Sequence, residues 1–328
     1  MATPDFTGWL PIRLYWQQSQ AWIDWCYLGN QRLSEPFFDH SIEKALQHPF
    51  NRAFRRQTPV EHLTEFTSSQ PGIVPDGFIF HMSRTGSTLV AQMLAALSEN
   101  IVVSEASLID ALFRPEVQHF GVNEAEQITM LRSIISALGQ PRRKQEKRLF
   151  IKFDSWHTVH LPLIQRAFPD VPWIFLYRNP IEVLVSLSRV GGRRLVPGVV
   201  DPAEFGLDIA EVFHLPAEEY HARILARICT AALENHQPGI SRFVNYQELP
   251  EIVWTSLADH FQFACGKTDR KLMQERSKFG GKGSATRFQD DKTAKVRAAS
   301  DAMHQAATQW LNSHYEAMEA IRHRDEAS

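Results

Sequence analysis

Residues Phe78 to Ala96 read FIFHMSRTGSTLVAQMLAA, and their order decides the fold. An apolar run enters the polar turn Ser83, Arg84, Thr85, Gly86, Ser87, Thr88 and leaves it as an apolar segment of helical length. A short continuous apolar run ahead of a helix predicts a strand buried on both faces. The amide hydrogens of a first helical turn have no partner inside the helix, and with the macrodipole they attract anions. Gly86 lets the backbone approach a ligand closely. Ser87 and Thr88 add hydroxyl donors, and Arg84 adds a permanent charge on a planar fork suited to phosphate oxygens. The turn therefore predicts a phosphate-binding loop. The nucleotide triphosphatase form of such a loop requires lysine straight after its last glycine, and here Ser87 stands in that place.

Outward from this loop, short apolar runs alternate with helical patterns. GFIFHM gives way to LVAQMLAAL, then NIVVS, a helical region to residue 139, RLFIKF, a helix, PWIFLY, another helix, and RFVNYQ at 242–247 as a fifth strand. That rhythm predicts βαβ units and a parallel sheet with both faces covered. Residues 206–236 and 294–323 read as helix, and 277–291 as a glycine- and charge-rich loop. Residues 1–70 form an aromatic-rich N-terminal extension, read as packed core with the capacity to wall an acceptor pocket. The breaker-rich SSQPGIVPDG at 68–77 separates it from a nucleotide-binding domain over 77–328.

A second strand-to-helix corner lies at Trp173 to Arg189, WIFLYRNPIEVLVSLSR. Pro180 suits a first helical position and Asn179 an N-cap, so Arg178 projects from the strand end with Ser186 two turns along the helix. Arg178 and Ser186 could both reach one phosphate.

Composition excludes several classes. With 44% hydrophobic and 22% charged residues the chain is globular. A formal charge of −2 leaves no global basic excess to hold nucleic acid. Cys26, Cys229 and Cys265 are too scattered for a disulfide framework or a metal knuckle. His157 and His160 could share a helical face but have no further ligand set, so no metal is expected. The basic run RRKQEKR at 142–148 reads as a solvated loop. VPWIFLY at 171–177 is far shorter than a membrane span, and the start MATPDFTGWLPIRLYW lacks a signal-peptide pattern. The expectation is a cytoplasmic protein without a membrane span.

SRTGSTL resembles the phosphosulfate loop of sulfotransferases that use 3′-phosphoadenosine 5′-phosphosulfate (PAPS), with Ser83 in place of the usual proline. The resemblance covers residues 77–290 and is nearest in motif to the tyrosylprotein-type and bacterial enzymes. It implies a P-loop-like three-layer α/β sandwich with a central parallel sheet of five strands and helices on both faces. PAPS would be the sulfuryl donor, with no metal. Ser83, Arg84, Thr85, Gly86, Ser87 and Thr88 would bind the 5′-phosphosulfate, and Arg178 and Ser186, eight residues apart as in the family, the 3′-phosphate. Glu105 matches the position of the proposed catalytic glutamate of the tyrosylprotein type. Lys152 matches the strand-end lysine of the cytosolic enzymes, and Asp154 stands where those enzymes carry their base histidine, so either Glu105 or Asp154 could be the base. Lys282, in a loose version of the family's basic glycine loop, would contact the nucleotide. The acceptor would be a hydroxyl or amine on a small molecule or peptide. A kinase of similar architecture and a nucleotide binder without turnover are the alternatives. The sequence leaves the oligomeric state open.

Overall fold

The apolar runs take their places by strand periodicity, alternate side chains passing to opposite faces of one sheet. The computed structural model describes residues 5–190, 201–279 and 298–327. Within them, three N-terminal strands, β1 (Trp9–Gln17), β2 (Gln20–Tyr27) and β3 (Arg56–Pro59), form an antiparallel sheet in that order. Five more strands, β4 (Pro75–His81), β5 (Asn100–Ser104), β6 (Arg148–Lys152), β7 (Trp173–Tyr177) and β8 (Ser241–Asn245), form a parallel sheet in the order β5-β6-β4-β7-β8. The predicted α/β sandwich with a five-stranded parallel sheet is thus present. Phe78 and Phe80, Leu149 and Ile151, and Trp173 and Phe175 face one core. Ile79, Phe150, Ile174 and Val244 face the other. Both faces are dry, which explains why these strands read as unbroken apolar runs rather than alternating ones.

The chain reaches β5 on one side of β4 and later β7 on the other. The C-terminal end of β4 is therefore a topological switch point, where open α/β sheets place their ligands. Register brings the ends together: Ser104 pairs with Lys152, and His81 with Leu176.

The N-terminal extension holds a β-hairpin that its aromatic-rich pattern does not announce. Leu10, Leu14, Ile23 and Trp25 point inward and join the same continuous core as Phe78 and Phe80. Helix Phe38–Leu46 follows the hairpin, with Phe37 and Asp39 at its start lying beside the ends of β6 and β5 and Glu35 against the helix after β4. Two of the long helices are interrupted. The predicted 206–236 helix is split into Ile209–Val212 and Ala217–Glu234, with Pro216 at the N-cap of the second. The C-terminal one runs as Asp301–Trp310 and Asn312–Ala327. Among the described residues, no helix is long and apolar enough to cross a membrane.

Candidate active site

The first corner is built as the sequence requires. Strand β4 ends at His81, and Ser83, Arg84 and Gly86 all take left-handed backbone angles (φ 78°, 56° and 80°) before helix Ser87–Ala95 begins. Left-handed angles at non-glycine residues are costly and concentrate where a site dictates the backbone. At Gly86 a side chain has no room, since a Cβ would lie 2.7 Å from Leu249 Cδ1 and 3.2 Å from the Tyr246 ring. Gly86 is the N-cap and supplies no side-chain cap, and no acidic residue occupies the first turn. Leu89 and Val90 already donate to the Gly86 carbonyl, which leaves the amides of the loop tip and of Ser87 and Thr88 as the donors the helix itself does not consume. Thr85 is fully buried and its hydroxyl has no hydrogen-bond partner. A corner with this geometry suits an anion.

Beside it lies a charged cluster at the ends of β5 and β6. Glu105 follows β5 directly, in a left-handed conformation (φ 52°) held by its amide donating to the Lys152 carbonyl at 2.8 Å. Lys152 Nζ forms a short ion pair with Glu105 Oε1. The lysine side chain is wholly buried, while the glutamate keeps 20% exposure. Burial pushes the Glu105 carboxyl upward, but the Lys152 ammonium and His81 prevail and hold it well below the usual carboxylate range. His81 packs against the same pair, its Nε2 3.8 Å from Glu105 Oε1. Its Nδ1 accepts the Ser83 amide hydrogen at 3.0 Å. Burial, with the Lys152 charge, pushes the imidazole down to about 4.

The second corner sits one strand away. Asn179 caps helix Pro180–Val190 by accepting from the Ile181 amide at 3.0 Å, as its sequence position suggests. Arg178 is buried, its Nε donating to Glu182 Oε2 at 2.7 Å and its guanidinium lying 3.8 Å from the centre of the Tyr246 ring. Glu182 is itself 2% exposed, so the pair fixes the arginine fork. Arg84 Nε donates to Ser186 Oγ at 2.8 Å. This bond joins the two corners directly, through residues 102 positions apart.

Ser83 to Thr88, Glu105, Lys152 and Arg178 thus gather at the C-terminal ends of adjoining parallel strands, and Ser186 joins them from within the helix after β7 through its bond to Arg84. Asp154 lies beyond the end of β6, where it caps the 3-10 turn Ser155–His160 by accepting from the Ser155 amide at 2.6 Å. Lys282 lies outside the described residues. Sequence reasoning missed His81, which looks like one polar residue in an apolar strand. It also missed Glu182, although the four-residue spacing from Arg178 was a usable signal. The N-terminal extension adds a neighbour as well, for the Phe37 ring centre is 6.0 Å from Lys152 Nζ. Asp39 accepts a hydrogen bond from Ser107 at 2.9 Å. Among the described residues, no group of three or more His, Cys, Asp or Glu is arranged to hold a metal ion.

Comparison with known proteins bears on the family. No curated protein sequence matches the chain. Similar solved structures include the sulfotransferase STF9 from Mycobacterium avium, at 14% identity over 76% of this chain and 81% of that one, with a TM-score of 0.44. Another is the sulfotransferase domain from the curacin biosynthetic pathway, at 15% identity over 73% and 97% of the two chains, with a TM-score of 0.42. A third is mouse sulfotransferase SULT7A1 complexed with PAP, at 12% identity over 79% and 94%, with a TM-score of 0.41. The profile described as "Sulfotransferase family" matches residues 75–250, more than half of the sequence and the whole span from β4 to β8. On that match, the chain belongs to the sulfotransferase family.

Proposed function

We propose that this protein transfers a sulfuryl group from PAPS to a hydroxyl or amine acceptor. The observation that carries the reading is the Arg84–Ser186 hydrogen bond, because it draws a candidate 5′-phosphosulfate loop and a candidate 3′-phosphate corner into one continuous surface. In this reading Ser83, Arg84, Thr85, Gly86, Ser87 and Thr88 hold the 5′ end of the donor. Arg178, steadied by Glu182 and Tyr246, holds the 3′-phosphate together with Ser186. Lys282, outside the described residues, is assigned as a further contact to the nucleotide on the family resemblance alone. The domain over 77–328 carries the donor, and the extension over 1–70 walls the acceptor side through Phe37.

When bound, PAPS supplies an activated sulfur whose bond to the 5′-phosphate oxygen breaks as the acceptor oxygen or nitrogen bonds to it. Glu105 takes the acceptor proton. Lys152 neutralises negative charge growing on the leaving oxygen. Glu105 is preferred to Asp154 as the base because Asp154 Oδ1 is committed to its cap, whereas Glu105 is partly open to solvent and in contact with Lys152. Positioning and fixed charge carry the catalysis, with no step assigned to a metal. The acceptor is a small molecule or a peptide.

The test is transfer of labelled sulfate from PAPS to a mixture of phenols, alcohols, amines and peptides. Labelled product that disappears in Lys152→Met supports the assignment. Binding of 3′-phosphoadenosine 5′-phosphate (PAP) with no transfer to any acceptor makes the protein a nucleotide binder. Preference for ATP with magnesium makes it a phosphotransferase.

A further inference from the structure

On the sulfuryl-transfer reading, Lys152 faces two demands. It forms a buried ion pair with Glu105, yet it must also give its charge to the leaving oxygen. Once the ammonium turns toward the donor, Glu105 loses the contact that orients its carboxylate, and a general base must be held within hydrogen-bond reach of the proton it takes.

We propose that His81 is the positioning residue that aims Glu105 when Lys152 turns away, by donating from Nε2 to Glu105 Oε1. The tautomer follows from geometry. Nδ1 accepts the Ser83 amide hydrogen, so it carries no proton, and the proton of the neutral ring sits on Nε2. That atom is buried, has no hydrogen-bond partner, and faces Oε1 from 3.8 Å. A movement of about 1 Å would close the bond. A buried donor left without an acceptor is costly, so the site already favours that movement.

The groups facing the imidazole are Lys152, Glu105 and the backbone of Phe153. Burial and Lys152 outweigh Glu105 and the Phe153 backbone, keeping the ring neutral. A neutral donor orients the carboxylate without neutralising it as a second lysine would. The Nδ1 link to Ser83 fixes which ring nitrogen carries the proton, and so keeps the Nε2 donor turned toward Glu105. Nothing in the family resemblance assigned a role to this position.

Two measurements test the proposal. In His81→Phe, which keeps the ring volume and removes both nitrogens, kcat falls about 10- to 100-fold, the loss expected for one hydrogen bond to a charged group. PAP affinity stays within about 3-fold. The acid limb of the kcat–pH profile moves to higher pH, because the carboxylate loses a donor to its charged form. His81→Gln, whose amide can still donate, recovers most of the rate. Unchanged kcat, or a fall in PAP binding with the acid limb unmoved, would overturn the proposal. The second measurement needs no variant. Nitrogen NMR of the wild-type protein should show His81 as the neutral Nε2–H tautomer from about pH 8 down to about pH 5. An imidazolium or an Nδ1–H tautomer at neutral pH, in a protein that transfers sulfate, overturns the role of His81 alone. A wild-type protein that binds no PAP overturns the sulfuryl-transfer reading and this proposal with it.

Discussion

Replacing Lys152 with methionine removes the ammonium beside Glu105 while keeping most of the buried stem. At hydrogen-bond contact, two unit charges in an effective dielectric of about 20 attract by about 5 kcal/mol before desolvation. Breaking a buried pair by deleting one partner costs roughly 3–5 kcal/mol, because the remaining charge is stranded. Glu105 keeps 20% exposure, so the lower end of that range applies. Lys152→Met should therefore lose about 3 kcal/mol at neutral pH. The pH dependence supplies the sharper test. In the native protein the Glu105 carboxyl is depressed, so its contribution is present above the ordinary carboxylate range and is lost as pH falls through its folded value. Without Lys152, burial raises that carboxyl instead, and the folded state takes up a proton as pH falls. Urea denaturation of wild type, Lys152→Met, Glu105→Gln and the double variant at pH 7 and pH 4 reads both effects. The gap between wild type and Lys152→Met should narrow by about 2 kcal/mol at the lower pH. The double variant should recover most of the loss at the higher one. A gap equal at the two pH values, or a double variant no more stable than Lys152→Met, would refute the reasoning.

Gly86→Ala forces a Cβ into a left-handed position 2.7 Å from Leu249 Cδ1. Thermal unfolding should report a loss of about 1–2 kcal/mol and calorimetry a PAP affinity at least about 10-fold weaker. Arg178→Lys keeps a charge but loses the planar fork held by Glu182, so calorimetry should show PAP affinity falling about 10- to 100-fold while 5′-AMP affinity stays unchanged. His81 titrates in the native state at about 4 rather than at its ordinary 6.5, so the unfolded chain binds a proton that the folded protein refuses. The His81 contribution is then complete above that ordinary value, and stability falls by about 3 kcal/mol as pH drops to the folded one. His81→Gln should abolish that part of the acid loss in denaturant titrations.

Strands β4 to β8 were legible because each is buried on both faces and reads as an apolar run between helices. The N-terminal hairpin was not. Its turn residues Gln18 and Ser19 both take positive φ, 50° and 64°. That geometry normally advertises itself through asparagine and glycine. Pro11 and Arg13 flank a register shift that breaks the alternation of β1. Strand β3, Arg56–Pro59, has no apolar run at all. In the helix read over 206–236, Pro216 was the visible signal for the break.

The site divided along similar lines. Both strand-to-helix corners announce themselves through local residues, Gly86 with its hydroxyls and Asn179-Pro180 behind Arg178. Their junction through Arg84 and Ser186 depends on β4 and β7 being neighbours, which local sequence does not encode. The sequence put Glu105 first as candidate base and kept Asp154 as the second. Tertiary structure separates them, for one meets Lys152 across β5 and β6 while the other caps the turn that follows it.

The central claim is that the Gly86 corner and the Arg178–Ser186 corner grip the two phosphate-bearing ends of one nucleotide. Calorimetric titration with PAP and with 5′-AMP, which differ only in the 3′-phosphate, tests it most directly. The account predicts at least about 100-fold tighter binding of PAP, a preference that Ser186→Ala reduces and Arg178→Lys largely removes. Equal affinity for the two nucleotides in the wild-type protein would contradict it.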